Sequence, residues 1–331
     1  MLMPWKGEIH MQSVLIGTYT SGGQEKNGVW RLTLDSGRIL DREGVLEAED
    51  PSYLLPVDGG LYYVNERLSG GEGAVGYARK CGGHYERVWE CGTGGTNPCH
   101  LALSADGRYL AVANYSSGGV WIGRRNGEGI GETRLFAGHG GSVHPQRQEG
   151  PHAHFVVFTD PAHLLSADLG ADEIRRFRFG DSGWEEDEAL KLPAGCGPRH
   201  LIPEKDRIMV ITELSCELMA VDWQGHVRFR TPVSSGEGTA AALKRDGRNY
   251  VTTQRGQDVV RIFSPDGTCL SEFAAGAREP RDVLAVGNMI LCACQSGNAV
   301  TVHVKSGDTY AQTDCVQIRQ AVCAVMEKEE C

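Results

Sequence analysis

One layout recurs six times along this chain: an apolar strand, a turn often built on Asp-Gly, a second apolar strand, then a polar residue before Gly or Ser. The copies are PSYLLPVDGGLYYVNERLSG from Pro51, HLALSADGRYLAVANYSSG from His100, HFVVFTDPAHLLSADLG from His154, RHLIPEKDRIMVITELS from Arg199, AAALKRDGRNYVTTQRG from Ala240 and PRDVLAVGNMILCACQSG from Pro280. The polar residues closing the second strands are Glu66, Asn114, Asp168, Glu213, Arg255 and Gln295. They stand roughly 40 to 54 residues apart, the period of propeller blades. A seventh copy, SVLIGTYTSGG from Ser13, lacks its first half, which a strand around Val316 to Val325 can supply. Strands from both ends of the chain in one blade close the ring and remove an exposed edge. The sequence therefore predicts an all-β fold, a seven-bladed β-propeller of four-stranded antiparallel blades, as a single domain over residues 1–331.

Other features agree with that reading. No long apolar stripe at helical spacing appears, whereas period-two runs bounded by Gly, Asp, Asn and Ser occur throughout. The 44 glycines fit a fold with many tight turns. A net charge of −10 with no basic stripe argues against nucleic acid as a partner. No apolar run approaches the ~20 residues of a membrane-spanning helix. The opening MLMPWKGEIHMQS has no apolar signal core, so the expected location is cytoplasmic. Residues 1–10 read as a loose tail, with Met11 as an alternative start. The 11 cysteines lack CxxC spacing and are expected as reduced, structural thiols, with Cys196 the one to watch for reactivity.

Ten short motifs follow one another in order. They are GTYT from Gly17, VNE from Val64, DGRYLAVANYSSG from Asp106, RQEGPHAH from Arg147 and DLGAD from Asp168. GPRH from Gly197, TEL from Thr212, DGR…QRG from Asp246 to Gly256, EPRDV from Glu279 and QSGN from Gln295 complete the series. From about Val14 to the C-terminus the chain thereby resembles the seven-bladed propeller lactonase family. That family includes bacterial 6-phosphogluconolactonases of the propeller type and the fungal carboxy-muconate lactonizing enzyme. The resemblance implies a metal-independent hydrolase without a cofactor. Its implied substrate is a small anionic lactone, 6-phospho-D-glucono-1,5-lactone, with cyclisation of a carboxy-cis,cis-muconate as the alternative.

The residues support such a site in their own right. In a propeller the strand ends surround a central channel, and one end of it is a natural concave pocket. Repeat register brings His152, His154, Arg199, His200, Glu213, Arg255, Arg281 and Gln295 there. His152 and His154 share one face if His154 opens a strand, because side chains alternate. Arginine offers a permanently charged fork for carboxylate or phosphate, and a cleft focuses such charge even in an acidic protein. Lactone hydrolysis needs a base for water, a cation for the developing oxyanion and an acid for the ring oxygen. Glu213 or His152 is expected to handle protons, the choice between them open. Arg199 is expected to stabilise the oxyanion, with Arg255 and Arg281 gripping the substrate anion. His154, His200, Glu66, Asn114 and Gln295 are expected to orient or bind hydroxyls.

Blander readings stand beside these. Arg199 and Glu213 alone could be a structural ion pair, Asp168 a turn cap, and His100 an ordinary blade residue. A metal-dependent sugar lactonase would need several acidic or amide ligands in one shell, and interspersed arginines oppose a cation there. A non-catalytic interaction propeller has no need of imidazoles, arginines and a carboxylate at its hub. Oligomeric state is not legible.

Overall fold

The computed structural model of the protein describes residues 11–21, 23 and 27–328, and no helix occurs among them. The expected loose tail, residues 1–10, lies outside the described residues. Among the described residues twenty-eight strands form seven four-stranded antiparallel sheets. Blade 1 takes its inner strand, Ala321–Met326, from the C-terminal end and its other three, Gln12–Thr18, Asn27–Asp35 and Arg38–Glu47, from the N-terminal end. The closing strand starts later than the sequence reading placed it. Val316 and Gln317 finish the outer strand of blade 7, Thr309–Gln317, and a turn in which Gln320 takes φ 49° separates the two.

The inner and second strands of the other blades follow the repeat. They are Leu54–Val57 and Gly60–Asn65 in blade 2, and Pro98–Leu103 and Tyr109–Asn114 in blade 3. Blade 4 has Ala153–Asp160 and His163–Asp168, and blade 5 has Pro198–Pro203 and Ile208–Thr212. Blade 6 has Thr239–Asp246 and Asn249–Arg255, and blade 7 has Pro280–Val286 and Met289–Cys294.

Each second strand is covered on both faces by neighbouring blades, so it reads as a continuous apolar run. Gly60–Asn65 and Tyr109–Asn114 are buried at every residue. The apolar clusters lie between blades. Leu291, Val300 and Val302 of blade 7 pack on Val14, Ile16 and Leu32 of blade 1, and six further clusters join the remaining neighbours in the same way. Removing this apolar surface from water is the main favourable contribution to the ring.

The inner strands slip register where they leave the hub. Pro98 pairs with Asn114 but His100 pairs with Ala113, leaving Cys99 as an extra residue. His154, Arg199 and Arg281 are extra in the same way in blades 4, 5 and 7, as is Val322 in blade 1. In blade 6 the slip leaves Ala241 and Ala242 opposite Thr253. A bulge re-aims the extra side chain, and here it turns that side chain into the channel.

Candidate active site

The hub opens at one end into a pocket of about 460 Å³. Two rings of side chains build it. The deeper ring is the bulge residues Cys99, His154, Arg199 and Arg281. The upper ring is the residue at the hub end of each second strand, just past the last paired position except in blade 6, where Arg255 itself still pairs with Thr239. Thr18, Asn114, Asp168, Thr212, Gln254 and Cys294 all pair with the start of an inner strand, and Asn65 pairs with Ala74. The next residues are Tyr19, Glu66, Tyr115, Leu169, Glu213, Arg255 and Gln295, and all but Leu169 line the pocket.

This register splits the six polar residues that the repeat aligned. Glu66, Glu213, Arg255 and Gln295 hold the channel position, but Asn114 and Asp168 sit one residue earlier, where side chains tie turns. Asn114 accepts a hydrogen bond from Thr93 Oγ1 at 2.7 Å. Asp168 Oδ1 accepts from the amides of His152, Gly170 and Ala171 at 2.7, 3.1 and 3.1 Å. In a strand a slip of one residue turns a side chain to the other face, so Asn114 is not a pocket residue. Tyr115 takes its place.

His152 is also displaced from its expected position. The bulge at His154 breaks the alternation that would have put the two histidines on one face, and Tyr115 stands between them. The His152 ring stacks on Tyr115 at 4.7 Å, with Nδ1 3.0 Å from the Tyr115 carbonyl and Nε2 3.4 Å from Glu149. His154 meets Tyr115 edge-on at 5.5 Å and lines the pocket, which His152 does not. His200 lies beneath, with Nε2 3.0 Å from Arg199 and Nδ1 accepting from the Leu243 amide at 3.3 Å. His100 is buried beside it, its ring 3.8 Å from Phe155.

Among the pocket residues not foreseen as site residues, three make its polar contacts. Tyr19 and Tyr115 occupy the upper ring, and keeping strict repeat register would have found both. Arg147 comes from the connection between blades 3 and 4, where no repeat could indicate it. Its Nη2 donates to Glu213 at 2.6 Å and to Tyr115 Oη at 3.1 Å.

Glu213 is the electrostatic centre. Arg147, Arg199 and Arg255 approach its two oxygens at 2.6, 2.8 and 3.1 Å. Burial pushes its carboxyl up, but Arg255, Arg199 and the other cations outweigh this and hold it well below the usual carboxylate range. Arg281 differs: among the described residues no carboxylate stands within ion-pair distance of it. Its Nη2 donates to Tyr19 Oη at 2.8 Å and its Nη1 to Gln295 Oε1 at 3.3 Å. Tyr19 Oη in turn donates to Glu66 Oε2 at 2.9 Å.

Two titratable groups of the pocket are displaced from their ordinary values, both toward the neutral form. Burial raises the Glu66 carboxyl, only partly opposed by Arg281, Ser52 and Tyr19. Burial and the Arg199 cation hold His154 well below the ordinary histidine range, so its imidazole is neutral. Four guanidiniums face two carboxyls across the pocket, leaving an excess of positive charge that suits an anion. Cys196, watched for reactivity, is buried and pushed up by that burial, which keeps it an unreactive thiol.

A groove of about 510 Å³ between the outer parts of blades 3 and 4 is walled by Tyr109, Phe179, Trp184 and Arg134, and holds no imidazole. The hub pocket, where an imidazole, two carboxyls and four guanidiniums converge, is therefore the candidate site. Among the described residues no three His, Cys, Asp or Glu side chains gather as a metal-binding group.

The family model for the 7-bladed β-propeller lactonases matches residues 13–326. The 6-phosphogluconolactonase of Bacillus subtilis (strain 168) is 29% identical over 268 residues, covering 75% of this chain and 76% of its own. Among solved structures, a protein from Lactobacillus plantarum superposes with a TM-score of 0.86 at 22% identity, covering 96% of this chain and 100% of the other. The periplasmic gluconolactonase of Pseudomonas aeruginosa gives 0.83 at 25% identity, covering 96% and 99%.

Proposed function

The chain belongs to the seven-bladed β-propeller lactonase family, and from that premise we propose that it hydrolyses 6-phospho-D-glucono-1,5-lactone to 6-phosphogluconate. The observation that carries the reading is the presence in one pocket of a neutral His154 and Arg281, a cation with no carboxylate at ion-pair distance among the described residues. Such a cation is complementary to charge that develops on substrate.

His154 takes a proton from the attacking water as hydroxide adds to the lactone carbonyl carbon. Arg281 and Arg199 face the carbonyl oxygen as it becomes negative. When the tetrahedral intermediate collapses, the ring C–O bond breaks and the ring oxygen takes a proton from Glu66. The carboxylic acid formed loses its own proton, and transfer from the imidazolium to Glu66 resets the site. Glu213 is a poor base while three guanidiniums hold it ionised, and its part is to align them. Arg147, whose side chain is 37% exposed, and Arg255 stand nearer solvent than Arg199 and grip the phosphate. The homology to a 6-phosphogluconolactonase supports a phosphorylated substrate, and the Pseudomonas relative is a gluconolactonase by name, so phosphate preference is the measurement that separates the two.

The test is hydrolysis of freshly generated 6-phosphogluconolactone against glucono-1,5-lactone, each with and without a chelator. A wide preference for the phosphorylated lactone, insensitive to chelation, is expected. Loss of one charge-assisted contact costs roughly 1.5–3 kcal/mol, so Arg147→Ala should shrink that preference by about one to two factors of ten. Equal rates on both lactones would remove the phosphate from the reading, and activity restored only by added divalent metal would overturn the metal-free mechanism.

A further inference from the structure

Beneath the pocket lies a second, smaller cavity of about 20 Å³. Cys99, His154, Arg199 and Arg281 are its roof and the pocket's floor, while Ser52, His200 and Asp282 wall it below. Among the described residues His154 Nδ1 has no hydrogen-bond partner, and Asp282 Oδ1 has none beyond its ion pair with Lys244 Nζ. Ser52 Oγ is a third buried polar atom there without a well-formed hydrogen bond. A cavity holds one water when it offers at least ~10–15 Å³ and two to four polar partners. This one meets both conditions, and buried polar groups rarely go unpartnered.

We propose that Asp282 is a positioning residue acting on His154 through one water bound in this cavity. The water accepts from His154 Nδ1–H and donates to Asp282 Oδ1, with Ser52 Oγ as a further partner. Which ring nitrogen carries the proton is set by the hydrogen bond the other makes, so this leaves the Nε2 lone pair for the pocket. When Nε2 takes the proton of the attacking water, Nδ1 keeps its own, and the positive charge formed is faced by the Asp282 carboxylate across one water. That support is needed because Arg199 and Arg281 oppose a charged His154, whereas only Glu213 favours it within the pocket. Asp282 is itself fixed: Oδ2 accepts from the Ala324 amide at 3.0 Å and Lys244 Nζ lies 3.3 Å from Oδ1. Tyr53, Cys323 and Cys292 are further titratable groups near it.

The inference rests on His154 as the base, and its test separates the two. In Asp282→Asn, kcat should fall about 10- to 100-fold with KM little changed, and the acid limb of kcat/KM should move to lower pH because the imidazolium has lost its supporting charge. Lys244→Met removes the ion pair but keeps the carboxylate, so it should retain kcat within about threefold, with the acid limb unmoved or shifted upward. A purely structural Lys244–Asp282 pair would instead make the two variants alike, and that result would overturn the proposal. Should either variant fail to fold, long-range ¹H–¹⁵N spectra of the wild-type protein decide, with His154 assigned by its loss in His154→Asn. A single Nδ1–H tautomer is expected, and an Nε2–H or averaged ring would overturn the relay. Full activity in His154→Asn would instead overturn the base assignment, whatever the tautomer.

Discussion

Glu213 is nearly inaccessible, yet three guanidiniums converge on it. Removing one partner of a buried ion pair leaves the others uncompensated and costs on the order of 3 kcal/mol or more. Glu213→Gln should therefore lose stability to urea at neutral pH as well as activity, and equal denaturation midpoints would show that the cluster is solvated. The sign with pH follows from the depressed carboxyl. Its contribution is complete above the ordinary 4.5 and is lost as pH falls below that value. The two neighbouring histidines should behave differently from each other. His154→Ala is expected to lower turnover by about 10²- to 10⁴-fold, whereas His152→Ala, behind Tyr115, should stay within about tenfold. Comparable losses in both would put His152 back in the chemistry.

At the scale of strands, the site is a consequence of register. The blade count, the strand order and the sharing of one blade by both termini were legible because apolar alternation and turn residues repeat with a fixed period. Arg199, Arg281 and His154 were legible as pocket residues for the same reason, being the same point of successive repeats. The errors came from two places where local geometry departs from simple alternation. Bulges on the inner strands separated His152 from His154, and aligning Asn114 and Asp168 with Glu66 and Glu213 hid a difference of one position. Arg147 opens the RQEGPHAH motif but has no place in the repeat, so its contact across 66 residues to Glu213 was not legible from register. A paired measurement checks this register. Asn114→Ala should cost about 1–2 kcal/mol through the lost Thr93 hydrogen bond while kcat/KM stays within a few-fold. Tyr115→Ala should cut kcat/KM by at least tenfold, because it removes a pocket wall and the support of both Arg147 and His154. Reversal of that pattern would place Asn114 in the channel.

Over the whole molecule, stability depends on closing the ring, and one carboxylate concentrates that closure. Glu327 follows the last strand. Its amide donates to the Ser13 carbonyl at 2.9 Å and its oxygens accept from Arg31 Nε and Nη2, both at 2.7 Å. Ser13 Oγ and Tyr85 Oη also donate to it, so blades 1 and 2 are both joined to the end of the chain. Burial pushes this carboxyl up, but the hydrogen bonds from Arg31, Ser13 and Tyr85 prevail and hold it at about 2, against an ordinary 4.5. A carboxyl depressed in the folded state stabilises above its unfolded value and ceases to do so as pH falls through its folded one. Glu327→Gln should accordingly lose on the order of 2 kcal/mol at neutral pH, allowing for solvent reaching part of the cluster. The gap between variant and wild type should narrow between pH 4.5 and about 2, because protonation makes the wild-type side chain neutral as well. Thermal unfolding of both proteins across that range is the measurement. A gap that persists unchanged at pH 2 would mean that Glu327 acts through shape rather than charge, and no gap at neutral pH would mean that blade 1 closes without it.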